Sequence, residues 1–189
     1  MKAETLYHFT CTARLPWIVA TKELRPDRNQ IGGFPSPDFL WATTRSQGDR
    51  TAAGMQGYRR GVTALVRLTL FAEDFEPWPA ITARFPQWTI EHVRQLEAAA
   101  RGRGETNFEC WRARAEPLPL SRIIGAKAKT YTGRWRDLEL AFVQHPGNRD
   151  LRGIILNDEV YCSLQHVRDG YPIGYVAERM SLAEWSAAS

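Results

Sequence analysis

The segment Val62–Phe71 constrains the fold most. Val62, Ala64, Val66, Leu68 and Leu70 alternate with Thr63, Leu65, Arg67 and Thr69. That period of two belongs to a strand with one face in a core. The short aromatic and β-branched runs Thr5–Thr10 and Phe39–Thr44 read as further strands, as does Phe108–Ala115, and Ser121–Ala126 continues as a strand or bend. Gly153–Leu156, Glu159–Val167 and Ile173–Val176 close the series, with Asn157-Asp158 and Asp169-Gly170 as their hairpin turns.

Helices fall between these strands. Ala13–Thr21 places Leu15, Ile18 and Val19 at helical spacing. Thr89 is a good N-cap for a helix carrying Ile90, Val93, Leu96 and Ala100, which Gly102 and Gly104 stop. Arg136–Gln144 has helical spacing at Leu138, Ala141 and Phe142. Asp27–Asp38 is a Gly-, Pro- and Asn-rich loop, Arg45–Tyr58 a short helix or connection, and Phe75–Trp88 a packed aromatic loop. The regular βαβ alternation of a doubly wound sheet is missing. The expected class is α+β: a mixed or antiparallel split sheet with a few flanking helices.

With 189 residues and 43% apolar composition, the chain can bury one sizeable core and is short for two, so 1–189 is expected to be a single domain. The charge is mildly basic, 25 Lys and Arg against 21 Asp and Glu, which suits an anionic ligand but is equally an ordinary surface. Cys11, Cys110 and Cys162 are far apart and form no CxxC pair. A disulfide framework and a structural zinc are not expected, and neither is any other metal. The opening Met-Lys-Ala-Glu-Thr has no apolar leader core, and no run approaches the roughly 18 apolar residues of a membrane helix. A cytoplasmic location with no membrane partner is the expectation.

Three strands carry the candidate chemistry. On the first, His8 and Thr10 share a face and can present a ring nitrogen and a hydroxyl to one ligand. Equally, His8 can be a core histidine satisfied by a backbone carbonyl. On the second, Trp41 and Thr43 share a face; the indole can stack on a planar ring or simply pack in a core. On the third, Asn107, Glu109 and Trp111 share a face. A carboxylate there can hold a sugar hydroxyl and stabilise the cation formed when a glycosidic bond breaks. Arg101, Arg103, Arg112 and Arg114 make a basic group nearby that fits an acidic target or a solvated face. Cys11 follows the first strand, where a thiol is more often core than nucleophile. No zincin, P-loop, nucleophile-elbow or Rossmann string occurs.

The order His-x-Thr strand, helix, aromatic strand, Glu strand resembles the ADP-ribosyltransferase superfamily in its His-aromatic-Glu branch. Leu6-Tyr7-His8-Phe9-Thr10, with Leu15-Pro16-Trp17-Ile18 and Leu24, is similar to the opening of DNA-modifying toxin transferases, of RNA 2′-phosphotransferases and of small bacterial proteins with an Asn-x-x-x-Trp stretch. That stretch is here Asn107–Trp111, followed by Pro119-Leu120-Ser121. The resemblance covers 5–125 as a core and leaves 127–189 as a β-rich extension. It implies NAD as substrate, with transfer of ADP-ribose to a protein or nucleic-acid acceptor, or hydrolysis. By the same resemblance His8 binds a ribose hydroxyl, Trp41 or Thr43 flanks the nicotinamide, and Glu109 contacts the nicotinamide ribose and steadies the oxocarbenium ion. Thr10, Asn107 and Trp111 line the pocket, and Arg45 or Arg67 meets the pyrophosphate. The chain departs from the family in having Phe9 where many members have Gly, and Trp41 where Tyr is usual. Two other functions compete: a non-catalytic binding partner of toxin or phage association with the same fold, and an RNA 2′-phosphate enzyme. The second lacks the expected paired His-Arg motifs.

Overall fold

The computed structural model describes residues 4–26, 33–49 and 61–187. The loop expected over Asp27–Asp38 and the connection over Arg45–Tyr58 lie partly outside the described residues. In chain order the elements are β1 (Thr5–Cys11), α1 (Leu15–Thr21), β2 (Glu23–Leu24), β3 (Leu40–Thr43), β4 (Leu65–Phe71), β5 (Glu76–Pro77) and α2 (Ile90–Arg101). They continue with β6 (Trp111–Arg114), β7 (Leu118–Pro119), β8 (Ile123–Lys129), β9 (Arg136–Asp137), β10 (Val143–His145), β11 (Asn148–Leu156), β12 (Glu159–Arg168), β13 (Tyr171–Ser181) and α3 (Leu182–Ala187). The class is α+β, and the registers of β1·β3, β3·β6 and β11·β12·β13 are antiparallel. The described residues fall into two compact units: the first drawn from Met1–Phe9, Glu23–Gln56 and Leu68–Ile124, the second from Thr10–Lys22, Gly57–Arg67 and Gly125–Ser189.

In the first unit β5, β6, β3 and β1 are successive neighbours. Their core is aromatic. Phe39, Trp78, Trp88 and Trp111 are buried together, with Trp41, Phe85 and Phe108 packed against them. The ring pairs are tilted or edge-on, as in Trp41–Trp78 at 5.1 Å and Phe39–Trp88 at 5.0 Å, the geometry that aromatic quadrupoles prefer. Helix α2 closes this core with Val93, Leu96 and Ala100, one stripe at helical spacing. Ile90 was expected in that stripe but is 64% exposed: the first turn overhangs the core. The start of α2 is fixed by Thr89, whose N–H reaches His92 Nδ1 at 3.1 Å. A histidine thus takes the capping-box position more often held by Glu or Gln. The helix ends where Glu105 N–H returns to the Ala100 carbonyl at 3.1 Å, a reversal that Gly104 permits with φ +86°.

In the second unit β10, β11, β12 and β13 form an antiparallel meander. Its hairpin turns are the expected ones. Asn157 and Asp158 have φ of 54° and 62°, and Asp169 and Gly170 have 51° and 79°, which are left-handed turn values. Trp17 of α1 donates Nε1–H to Ser163 Oγ at 2.9 Å, and Ser163 donates to the Ala13 carbonyl at 2.6 Å. Arg152 lies over the Trp17 ring at 4.5 Å, a cation–π contact.

The helix expected over Arg136–Gln144 is corrected: β9 and β10 occupy its two ends. Lys127 stands opposite Asp137 in the ladder and pairs with it at 2.8 Å, and Ala141 is exposed. Strand pairing outweighs a local spacing that had no cap to support it. The strand expected from Val62 begins at Leu65, because Ala64 instead exchanges hydrogen bonds with Thr12. Leu65 is buried, so β4 is covered on both faces.

Helix α3 seats Trp185 on Val160 and Cys162, and His145 meets the Trp185 ring edge-on at 4.8 Å. Gly153 leaves room for this contact. A Cβ there would lie 2.5 Å from Val160 Cγ1 and 3.4 Å from Trp185 Cη2. Gly153→Ala is therefore expected to cost about 1–3 kcal/mol by overpacking, lowering the thermal midpoint by several degrees. An unchanged melting curve would contradict this packing.

Candidate functional site

Residues brought together at the C-terminal end of β3 and the start of β6 form the candidate site of the first unit. Thr43 stands opposite Trp111, and Trp41 opposite Ala113. Directly opposed residues project to the same face, so Trp41, Thr43 and Trp111 share one. The next residues along the chain add polar groups at its edge. Thr43 Oγ1 accepts the Arg45 N–H at 3.2 Å. Arg45 Nη1 reaches Glu105 Oε1 and Oε2, each at 3.3 Å. The Glu105 side chain is 4% exposed and that of Arg45 39%.

Glu105 does more than pair with Arg45. Its Oε1 also accepts the N–H groups of Thr106 and Asn107 at 3.0 and 2.9 Å. Cys110 donates its thiol to the Asn107 carbonyl at 2.9 Å, and Trp111 N–H closes on Phe108 O. These bonds curl the chain, and Phe108–Cys110 forms a 3-10 turn. The strand expected from Phe108 is therefore corrected: β6 starts at Trp111. Asn107, Glu109 and Trp111 do not share a strand face. Asn107 and Glu109 are exposed on the turn, while Trp111 is 1% exposed in the aromatic core.

His8 lies on β1, adjacent to β3, and donates Nδ1–H to the Trp41 carbonyl at 2.7 Å. A neutral ring in this tautomer presents Nε2 as an acceptor. Tyr7 is the residue opposite Thr43, so His8, one position on, projects to the other face from Trp41 and Thr43. The indole of Trp41 is half-buried between Phe39, Trp78 and Trp111. Thr10 and Arg67 belong to the second unit, where Thr10 is buried and Arg67 lies over Trp135 at 4.7 Å.

The sequence reading overlooked Glu105, Asp49 and Cys110. Burial raises the Cys110 thiol above its ordinary range, opposed by the Thr43 hydrogen bond and the Arg45 charge and reinforced by the Asp49 and Glu105 carboxylates. Asp49 is itself buried, so the end of β3 concentrates buried charge. Such a thiol is a poor nucleophile, and Cys162, which burial pushes up to about 11, is poorer still. Cys11 is buried as well. A signal for Glu105 existed: a carboxylate directly after the helix-stopping glycines can turn back onto the next two amides.

Arg101, Arg112 and Arg114 of the basic group have internal partners. Arg112 donates to the carbonyls of Glu109 and Trp111, and Arg114 to those of Asp74, Glu116 and Pro117. Arg101 pairs with Glu97 at 3.2 Å. Among the described residues no group of His, Cys, Asp or Glu side chains is arranged to hold a metal ion, and no helix is long and apolar enough to cross a membrane. Compared with family models, curated proteins and solved structures, the chain matches none.

Proposed function

We propose that the chain binds NAD and cleaves its nicotinamide–ribose bond, passing ADP-ribose to a protein or nucleic-acid acceptor or to water. One observation carries this reading: β6, β3 and β1 are consecutive neighbours; β3 bears Trp41, β1 bears His8, and the turn that carries Glu109 leads into β6. Two strand spacings separate the outer strands, roughly 10 Å, well within the length of a dinucleotide. Glu109 is exposed on its turn, where a carboxylate can take the ribose 2′-hydroxyl. As the C1′–N bond breaks, its electron pair leaves with neutral nicotinamide, and the carboxylate faces the oxocarbenium ion that remains. The acceptor nucleophile then bonds to C1′ and loses its proton. His8 Nε2 accepts from a ribose hydroxyl. Arg45, paired with Glu105 and 39% exposed, is the cation for the pyrophosphate.

A second reading, a non-catalytic binding protein with this fold, is favoured by the opposed faces of His8 and Trp41. Incubation with millimolar NAD separates the two. Release of free nicotinamide is expected, falling about 100-fold or more in Glu109→Ala, together with a thermal stabilisation by NAD. If neither nicotinamide nor stabilisation is seen, the non-catalytic reading replaces the first. Equal release from both proteins removes Glu109 from the chemistry.

A further inference from the structure

We propose that the second unit carries a separate binding site for a small, neutral, polyhydroxylated molecule of monosaccharide size. Its basis is a polar cleft of about 400 Å³, open to solvent and toward the lower end of the range for ligand pockets. Thr63 and Tyr161, 4% and 2% exposed, are buried members of its lining. Glu159 and Tyr161 are two apart on β12, and Arg179 of β13 stands opposite Tyr161. All three therefore project from one face of the meander. They are already organised: Tyr161 donates to Glu159 Oε2 at 3.3 Å, and Arg179 Nε lies 3.6 Å from Glu159 Oε1. Burial raises the Tyr161 hydroxyl above its ordinary range, keeping it a neutral donor. Thr130 adds a hydroxyl, and Tyr131 adds a ring that is 58% exposed.

The chemistry of this lining selects among ligands. One carboxylate and one guanidinium stand on the same wall, so the local charges cancel. An anion attracted by Arg179 meets Glu159, and a cation meets the converse. Vicinal hydroxyls suit both partners, since each donates to the carboxylate and accepts from the guanidinium. The threonine hydroxyls adapt to either role. The exposed Tyr131 ring offers an apolar face to the C–H side of a sugar ring. None of this depends on the NAD reading, whose proposed contacts Glu109, Trp41, His8 and Arg45 lie in the first unit.

Saturation-transfer NMR on the full chain tests the site with D-ribose, D-glucose and N-acetylglucosamine as probes, each at roughly 10 mM, above the ~1 mM affinity expected of so small a ligand. At least one sugar is expected to receive saturation. Its affinity, read from the concentration dependence of the signal, should fall about tenfold in Glu159→Gln, the loss of one charge-assisted hydrogen bond, and the signal should also fall in Tyr131→Ala, a change at a largely exposed ring. Glu109→Ala should leave the signal unchanged, which separates this site from any ribose contact in the first unit. No saturation with any of the three sugars overturns the proposal. So does equal saturation in the wild type and in Tyr131→Ala.

Discussion

Replacing Trp111 by alanine is expected to remove about 3–5 kcal/mol of stability, a large share of what a domain of this size has. Trp111 is 1% exposed. Its ring meets Phe108 at 4.8 Å, Trp41 at 5.7 Å and Trp78 at 6.4 Å. Those neighbours come from β3, from the segment after β5 and from the turn before β6, and cannot all move into the vacated space. The cost is therefore lost transfer energy plus a cavity. Phenylalanine should behave differently. Among the described residues the buried Trp111 Nε1 has no hydrogen-bond partner, so the native indole carries a desolvation penalty of about 1–3 kcal/mol that a phenyl ring avoids. Trp111→Phe is expected to cost about 1 kcal/mol or less. Urea denaturation checks both: the alanine midpoint should fall far below the wild type with a similar slope, and the phenylalanine midpoint should stay close. A small loss in Trp111→Ala would mean that the aromatic cluster is not the stabilising centre of the first unit.

This asymmetry also marks what could be read from the residues alone. Trp41 and Trp111 were visible as strand residues, but their packing depends on which strands pair. No local pattern says that Thr43 faces Trp111 or that Tyr7 faces Thr43. That register decides whether His8 and Trp41 share a face, and it puts them on opposite ones. The elements whose signals are local were legible. Examples are β1, α1, α2 with its Thr89 cap, and the Asn157-Asp158 and Asp169-Gly170 turns, where left-handed φ values demand those residue types. Elements set by distant partners were not. Asp137 is strand because Lys127 pairs with it, and residues 108–110 leave the strand because the carboxylate of Glu105 holds the Thr106 and Asn107 amides before them. Of the candidate site, the residue types were legible and their faces were not, since a shift of one residue in register inverts every side chain.

Glu105 gives the second large effect. Its carboxylate joins two backbone amides and the Arg45 guanidinium at one buried point. Breaking a fully buried ion pair costs about 3–5 kcal/mol, but the Arg45 side chain is 39% exposed and can turn to water. Glu105→Ala is accordingly expected to cost about 2–4 kcal/mol, most of it from hydrogen bonds to a charged group. The loss is local in the first instance. The Thr106 and Asn107 amides should exchange with solvent faster, while those of β11 and β12 keep their protection. Glu105→Gln retains an oxygen for the amides and loses the charge facing Arg45, so it should restore much of the amide protection. Under the NAD reading the same loop carries Glu109, and Glu105 then acts as a positioning residue that never touches substrate. Glu105→Ala should lower kcat for nicotinamide release by about 100-fold, as displacement of a reacting group by about 1 Å does, and Glu105→Gln should recover part of it. Unchanged exchange at Thr106 and Asn107 in Glu105→Ala would show that the turn holds without its carboxylate. Faster exchange with undiminished kcat would show instead that the turn does not set the position of the reacting group.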